Sequence, residues 1–515
     1  MSEGNGKAIQ KDLLSSLVVF LVALPLCMGI AIASGVHPAA GLITGIIGGI
    51  VVGSLSGSPL QVSGPAAGLA VIIWEIISKH GLPALGAIIV VAGITQIAFG
   101  ALKLGRIFRA VSPAVVQGML SGIGVLIFAS QFHVMLDDKP LGSGIDNLMA
   151  IPKILGDVIT MNHDFNHLAA LIGLITIAIV VLWDKLPFDK LRNAVPPTLL
   201  AVLATTVLAA VMGLDVKRVE LPNNITDAIK WLDLSIIPTM GWTILTQGMI
   251  VAFIASAETL LSANAIDRMA PENKAKYDKE LVAQGVGNTL CGIVGALPLT
   301  GVIVRSSVNV KAGAKSRFSA IFHGVWLLLF VAAFPFALKM IPTAVLAALL
   351  VYTGWKLLDI KSIQAIGKQS RTELLILLAT MVTIVCVDLL TGVLTGVVLS
   401  VAKLVYAMCR LHINKVVSDN QVILELRGAA TFLNLPQLAE EIEKLPHDTD
   451  LHLDVSNLLY IDHACLELIK TQEKQFKNKS GDITIDWGPD QAKFKKSVSR
   501  MRDVEVGAET TSVAA

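Results

Sequence analysis

Charge is scarce in this chain of 515 residues: 16% are Asp, Glu, Lys or Arg, and the two signs nearly cancel at a net charge of +2. Such a balance gives no support to a nucleic-acid partner or a strongly polybasic surface. Cysteine is sparse too. Cys27, Cys291, Cys386, Cys409 and Cys465 stand far apart, with no C-x-x-C spacing and no neighbouring His pair, which leaves neither a disulfide framework nor a zinc cluster to build on. A phosphate-cradling loop is also missing, because "KAGAKS" (311 to 316) has Ala314 before Lys315 where that loop needs glycine. With no nucleophile and base in a recognisable pattern either, these absences argue against an enzyme.

What the chain has in excess is hydrocarbon. Hydrophobic residues make up 54% and the mean hydropathy is +0.70, far to the apolar side of soluble globular domains. A bilayer core about 30 Å thick takes about 20 apolar residues per helix. Runs of that kind cover 13–33, 39–56, 63–79, 84–102, 112–131, 167–184, 194–213, 243–264, 279–297, 299–313, 318–338, 341–358, 372–390 and 391–409, fourteen in all. The first continues to Ala33 without a small-residue cleavage signal, so it reads as a retained helix and the mature protein as keeping its whole length. Gly41, Gly45, Gly48, Gly49 and Gly53 recur at three- to four-residue spacing in "GLITGIIGGIVVGSLSG", a pattern for close helix packing.

A cytoplasmic N-terminus places the basic loops 103–109, 184–192, 267–280, 311–317 and 356–371 inside, as the positive-inside rule requires. The longer connections 132–166 and 214–242 then fall outside. An even number of crossings returns the chain to the cytoplasm at Arg410. From 414 to about 487, "VILELRG", "LPQLAEEIEKL", "DLHLDVSNLLYI", "HACLELIKTQEKQF" and "DITIDW" alternate strand and helix, a small α/β domain with a partly parallel sheet. The expected layout is a membrane domain over 1–410, with repeats at about 13–213 and 243–409, a cytoplasmic domain over 411–490 and a polar, flexible tail over 491–515.

Two spans are interrupted. "SPLQVSGPAAG" and "ALPLTGVIVRSS" each put Pro, Gly and small polar residues between apolar runs, and each is the third helix of a set of seven. Matched broken helices of this kind belong to an inverted repeat whose half-helices start near the bilayer midplane. A helix N-terminus exposes unpaired N–H groups and about half a positive charge. Two of them facing each other make an anion site without a buried lysine.

The span "AFIASAETLLSANAIDR" carries one acid near its middle, Glu258, with Ser262 one turn on and Thr259 adjacent. An intramembrane carboxylate is a functional candidate by default, the plainer reading being a pair with Arg305. His323 reads as a hydrogen-bonded packing residue and Asp388 as a turn or cap.

Taken in order, "ALPLCMGIAIASGVHPAAGL", "SGSPLQVSGPAAGL", "ASAETLLSANAIDR", "ELVAQGVGNTLCGIVGALPLTGVIVRSSVNVKAGAKSR" and the closing α/β domain resemble the SulP (sulfate permease) family of anion transporters over nearly the whole chain. The resemblance implies a polytopic α-helical membrane protein with fourteen helices in two inverted repeats of seven. It further implies a core domain moving against a gate domain in an elevator-type cycle, homodimers, and a cytoplasmic STAS domain. For a bacterial member it implies the inner membrane, with both termini cytoplasmic.

It also implies an anion seat at Ser63, Gly64, Pro65, Ala66 and Ala67 facing Thr300, Gly301 and Val302, lined by the first and eighth helices through Leu26 and Glu258. Glu258 falls at the family's acidic position, which is Glu in proton-coupled members and Asp in sodium-coupled bicarbonate carriers. Those sodium carriers use a hydroxyl where this chain has Ile303, so a Na+ site on Glu258, Ser262 and Gly301 lacks one of its oxygens. Thr259 and Arg305 stand as supporting residues. Leu26 occupies a position where many sulfate and organic-anion members have Gln, and an apolar wall suits a smaller anion. The usual Asp-Ser-Ser-Gly turn of the STAS domain reads Asp462, His463, Ala464, Cys465, which removes the phosphorylatable serine and favours a scaffold or dimer role.

The resulting expectation is a secondary active transporter of a small inorganic anion, bicarbonate first and sulfate or chloride next. It would couple to H+ or Na+ or work by exchange, and use no cofactor. Its partners would be the anion, membrane lipid and a second copy of itself, and no nucleic acid. The alternatives are a sulfate, other oxyanion or dicarboxylate symporter of the same family and, in another class, an anion channel or sensor with the STAS domain as output.

Overall fold

The computed structural model describes residues 2–105, 112–141, 143–159, 167–183, 185, 196–222, 225–418, 421–445, 450–477 and 483–486. Most of the basic run 184–192, part of the run 103–109 and the whole tail 491–515 lie outside them. The chain divides into two compact units, Met1–Val397 and Val398–Ala515.

The first unit is helical, and the last of its helices continues past Val397 into the second. Besides short 3-10 turns it runs α1 (Ser2–Ala33), α2 (Pro38–Ile47), a π-helical turn (Gly48–Val52), α3 (Gly53–Leu55), β1 (Ser63–Pro65), α4 (Ala67–His80), α5 (Leu82–Ala101), α6 (Pro113–Met135), α7 (Gly144–Ile159), α8 (His167–Trp183), α9 (Pro197–Val211), α10 (Ile237–Met269), α11 (Tyr277–Ile293), β2 (Leu299–Gly301), α12 (Ile303–Lys311), α13 (Phe318–Ala333), α14 (Pro335–Lys339), α15 (Thr343–Leu357), α16 (Ile360–Gln369), α17 (Arg371–Cys386) and α18 (Leu389–Met408). Among the described residues, 6 helices are long and apolar enough to cross a membrane, and shorter apolar helices join them at 167–183, 197–211, 318–333 and 391–407.

Prolines mark the beginnings. They sit in the first turn of α2, α5, α6, α9 and α10, where the missing N–H would have no intrahelical partner anyway. Glycines mark the contacts. On α5, Gly86, Gly93 and Gly100 recur every seven residues along the face that meets α11. A Cβ would come 2.9 Å from the Gly292 carbonyl at Gly86, 2.6 Å from that of Gly285 at Gly93, and 2.6 Å from that of Asp278 at Gly100. The two backbones touch, which only hydrogen side chains permit. In the 41–57 stretch a Cβ on Gly48 would lie 2.5 Å from the Ser63 carbonyl, so the π turn backs directly onto β1.

Two expected connections contain helices of their own. Within 132–166, α7 packs Ile154 into a cluster with Met135, Ala348 and Val351. Within 356–371, α16 starts at Asp359, whose side chain accepts from Ser362 N at 3.3 Å. Both are amphipathic and too short or polar to read as spans, and a reading by membrane length passes over them.

The second unit is a sheet of four strands, β3 (Leu411–Ser418), β4 (Gln421–Ala430), β5 (Asp450–Ile461) and β6 (Ile483–Asp486), in that spatial order, with α19 (Leu435–Glu443) and α20 (His463–Lys477) between strands. β3 and β4 are antiparallel, and the pairings β4 with β5 and β5 with β6 are parallel. Its core gathers Leu424, Leu426, Leu438, Leu453, Val455 and Ile469. Strand β3 is an addition to the expected set, hidden in the sequence because "LHINKVVS" follows the last apolar run directly. Asp462 Oδ1 accepts from Cys465 N at 2.8 Å and so starts α20, while the buried Cys465 Sγ donates to the Thr431 carbonyl at 3.2 Å. Burial, and then the neighbouring Asp462, push that thiol up to about 12.

Candidate functional site

The two interrupted spans meet. β1 and β2 pair antiparallel, with Ser63 opposite Gly301, Gly64 opposite Thr300 and Pro65 opposite Leu299, and Val302 N donates to the Val62 carbonyl at 3.0 Å. Each short strand runs straight into a helix, α4 from Ala67 and α12 from Ile303. The N-cap residues are Ala66 and Val302, both extended, and neither helix has a side-chain cap. Ser, Thr, Asp or Asn would fold an oxygen back onto the first-turn N–H groups. Alanine and valine cannot; Leu69 N turns back to the Ala66 carbonyl at 3.2 Å, and the donors ahead of it in α4 and at the start of α12 are left without a side-chain cap.

Both N-termini open on one cavity of about 940 Å³. Its inner end is formed by Ala67, Gly68, Val302 and Ile303, its wall by Leu26, Glu258, Ser262 and Arg305, and its far end by Arg268, Ser362 and Ile366. Glu258 and Ser262, one turn apart on α10, both face it, as their spacing predicts. The carboxylate lies on the first turn of α4: a Cβ on Gly68 would come 2.9 Å from Glu258 Oε1. Its Oε2 has no hydrogen-bond partner among the described residues.

Arg305 is completely buried, the largest side chain among the described residues to be so. It reaches from α12 behind β1, where Nη2 donates to the Pro65 carbonyl at 3.5 Å, and a Cβ on Gly64 would collide with Nη1. Among the described residues its Nε and Nη1 have no hydrogen-bond partner and no ion pair joins it to Glu258. The plain pairing of Glu258 with Arg305 is therefore not what the fold builds. His323 is buried as expected, yet neither ring nitrogen has a hydrogen-bond partner among the described residues. Asp388 does cap: its oxygens accept from Thr391 N at 2.8 Å and Thr391 Oγ1 at 2.6 Å.

The remaining expected seat residues lie behind the lining. Ser63 Oγ accepts from Gln284 Nε2 at 2.7 Å, and Gly301 N donates to Thr259 Oγ1 at 3.1 Å. Gln61 Nε2 donates to the Thr259 carbonyl at 3.0 Å. Ser63, Gly64, Pro65, Ala66, Thr259, Thr300 and Gly301 thus hold the two entrances, while Leu26, Ala67, Glu258, Ser262, Val302, Ile303 and Arg305 face the cavity. Sequence reasoning misses Glu280, Gln284 and Asn288, which support those entrances from α11. Their signal is visible as polar residues at four-residue intervals in "KELVAQGVGN".

The sulfate permease family model matches residues 9–380, which takes in every element that meets at the cavity. The chain belongs to the sulfate permease family. Among this family member's relatives is YvdB of Bacillus subtilis (strain 168), described by name as a candidate sulfate transporter. It is 32% identical over 405 residues, covering 77% of this chain and 73% of YvdB. The solved transmembrane domain of a cyanobacterium bicarbonate transporter, BicA, superposes with a TM-score of 0.64 at 25% identity, covering 75% of this chain and 97% of that domain. Murine solute carrier 26 family member A9, an anion transporter, matches in fold with a TM-score of 0.72 at 14% identity, over 92% of this chain and 85% of that one. This sulfate permease family member is accordingly an integral membrane anion transporter.

Proposed function

We propose that the transporter carries a small inorganic anion, bicarbonate in the first place, across the bacterial inner membrane by elevator-type alternating access. The observation that carries this reading is the pair of helix N-termini, begun by alanine and valine, opening on one cavity beside Glu258. Uncapped N–H groups attract an anion through their partial positive charge, and the Arg305 guanidinium in the cavity wall adds to that field. Leu26 contributes hydrocarbon where a larger oxyanion would need another donor, which supports bicarbonate. The likeness to YvdB supports sulfate as the second reading.

Glu258 gives the coupling. A charged carboxylate on the first turn of α4 already uses the positive end of that helix and repels an incoming anion. A proton or Na+ on Glu258 removes that competition, so cation and anion favour each other's binding. The oxygens at hand are the Glu258 carboxylate, the Thr300 hydroxyl beside it, and Ser262. Ile303 offers none. One carboxylate with hydroxyls fits a proton or a weakly held Na+.

The wider arrangement proposed is fourteen crossings in two inverted sets of seven, the broken helices third in each, with both termini cytoplasmic. The second unit is proposed as a STAS domain acting as scaffold in a homodimer. Purified protein in liposomes, given labelled bicarbonate or labelled sulfate under imposed Na+ or H+ gradients, tests the function. Saturable, gradient-driven bicarbonate uptake is the expected result. Sulfate uptake without bicarbonate uptake selects the second reading, and non-saturating flux identifies a channel.

A further inference from the structure

We propose that Gln284 is a positioning residue for the anion seat: it fixes the entry strand of α4 through Ser63 and thereby sets where the open N–H groups of that helix point. The inference rests on the seat proposed above. Glu280, Gln284 and Asn288 are each fully buried on α11, and their four-residue spacing puts them on one face. Buried polar groups must find protein partners, and these find the two interrupted spans. Glu280 Oε2 accepts from Ser56 Oγ at 2.6 Å, Gly57 N at 2.8 Å and Ser58 N at 3.0 Å, which ties down the loop leading to β1. Glu280 Oε1 accepts from Gln284 Nε2 at 2.8 Å, and the same Nε2 donates to Ser63 Oγ at 2.7 Å. Asn288 does the corresponding work for β2, accepting from Leu299 N at 2.7 Å and donating to the Leu299 carbonyl at 3.0 Å.

The direction of these bonds decides the role. Glu280 faces donors only, so Gln284 must turn its NH2 group toward it, and the second hydrogen of that group goes to Ser63. Ser63 is thus gripped from behind by a residue that does not line the cavity. Strand β1 is 3 residues long with Gly64 at its centre, and a glycine at that point adds no side chain to hold it in place. Without the grip, the start of α4 can slide relative to that of α12, and the two sets of N–H groups no longer converge.

The test reads affinity apart from transport, as the anion-dependent rise in Tm of the purified full-length protein titrated with bicarbonate, sulfate or chloride. Ser63→Ala and Gln284→Leu are each expected to weaken binding about three- to tenfold, and the double variant no more than the weaker single, because both break one linkage. A purely structural role would lower the anion-free Tm and leave affinity unchanged. That result overturns the proposal, as do losses that multiply in the double variant. If Gln284→Leu does not fold, Gln284→Asn, which keeps the amide but withdraws it from Ser63, replaces it in the cycle with the same expectations. A wild type whose Tm no anion moves overturns the seat and this inference together, whereas wild-type binding untouched by either single variant overturns the inference alone.

Discussion

At the scale of single residues, the site is defined by what its side chains leave undone. Ala66 and Val302 cap nothing, and among the described residues Glu258 Oε2 has no hydrogen-bond partner and Arg305 keeps two nitrogens without one. Glu258→Gln keeps the shape and removes the titratable charge. In liposomes under an inward cation gradient of about tenfold, worth about 1.4 kcal/mol per ion, this variant is expected to equilibrate the anion without concentrating it. Accumulation equal to wild type removes Glu258 from coupling. Leu26→Gln adds a donor to the apolar wall and is expected to raise sulfate flux relative to bicarbonate, a loss of both being the contrary result. Glu258 is legible in the sequence because a lone carboxylate in a long apolar run is expensive to hold in a bilayer and persists there only with a task. Arg305 is visible but its placement is not, since only the pairing of β1 with β2 brings its guanidinium against Gly64.

At the scale of elements, close packing decides what the sequence can show. The broken spans are legible from Pro, Gly and small polar residues at matched positions. Their joining into a two-stranded pair is not, because residues 63–65 and 299–301 are far apart in the chain and too short to carry a strand pattern. Likewise the seven-residue glycine interval on α5 is written in the sequence, while its partner helix appears only in the fold. Gly93→Ala would set a methyl 2.5 Å from Thr289 N and 2.6 Å from the Gly285 carbonyl, atoms that cannot swing aside. A loss of about 1–3 kcal/mol is expected, read as a lower Tm in detergent; an unchanged Tm means that α5 and α11 have room to separate. In the second unit, Cys465 is buried with its thiol held well above the usual range, so site-resolved mass spectrometry after maleimide treatment at neutral pH should find it unmodified until the protein is unfolded.

At the scale of the whole membrane unit, the cavity extends along α10 as far as Arg268. Ten residues separate Glu258 from Arg268 on α10, about 15 Å of helix at 1.5 Å per residue, and both border the same space, with Ser362 and Ile366 of α16 beside Arg268. The basic loops 267–280 and 356–371 flank that end, and the positive-inside rule assigns them to the cytoplasm. In the orientation proposed above this end faces the cytoplasm, and the proposed alternating access then requires it to close when the seat is presented outward. Ser362→Cys in a cysteine-free background is therefore expected to react with a membrane-impermeant maleimide in inside-out vesicles and not in right-side-out ones. Adding the transported anion together with its coupling cation should slow that reaction, because loaded carriers spend part of their time with the entrance shut. Modification from the outer face alone would invert the orientation of the whole chain, and a rate indifferent to both ions would leave a fixed vestibule in place of a moving one.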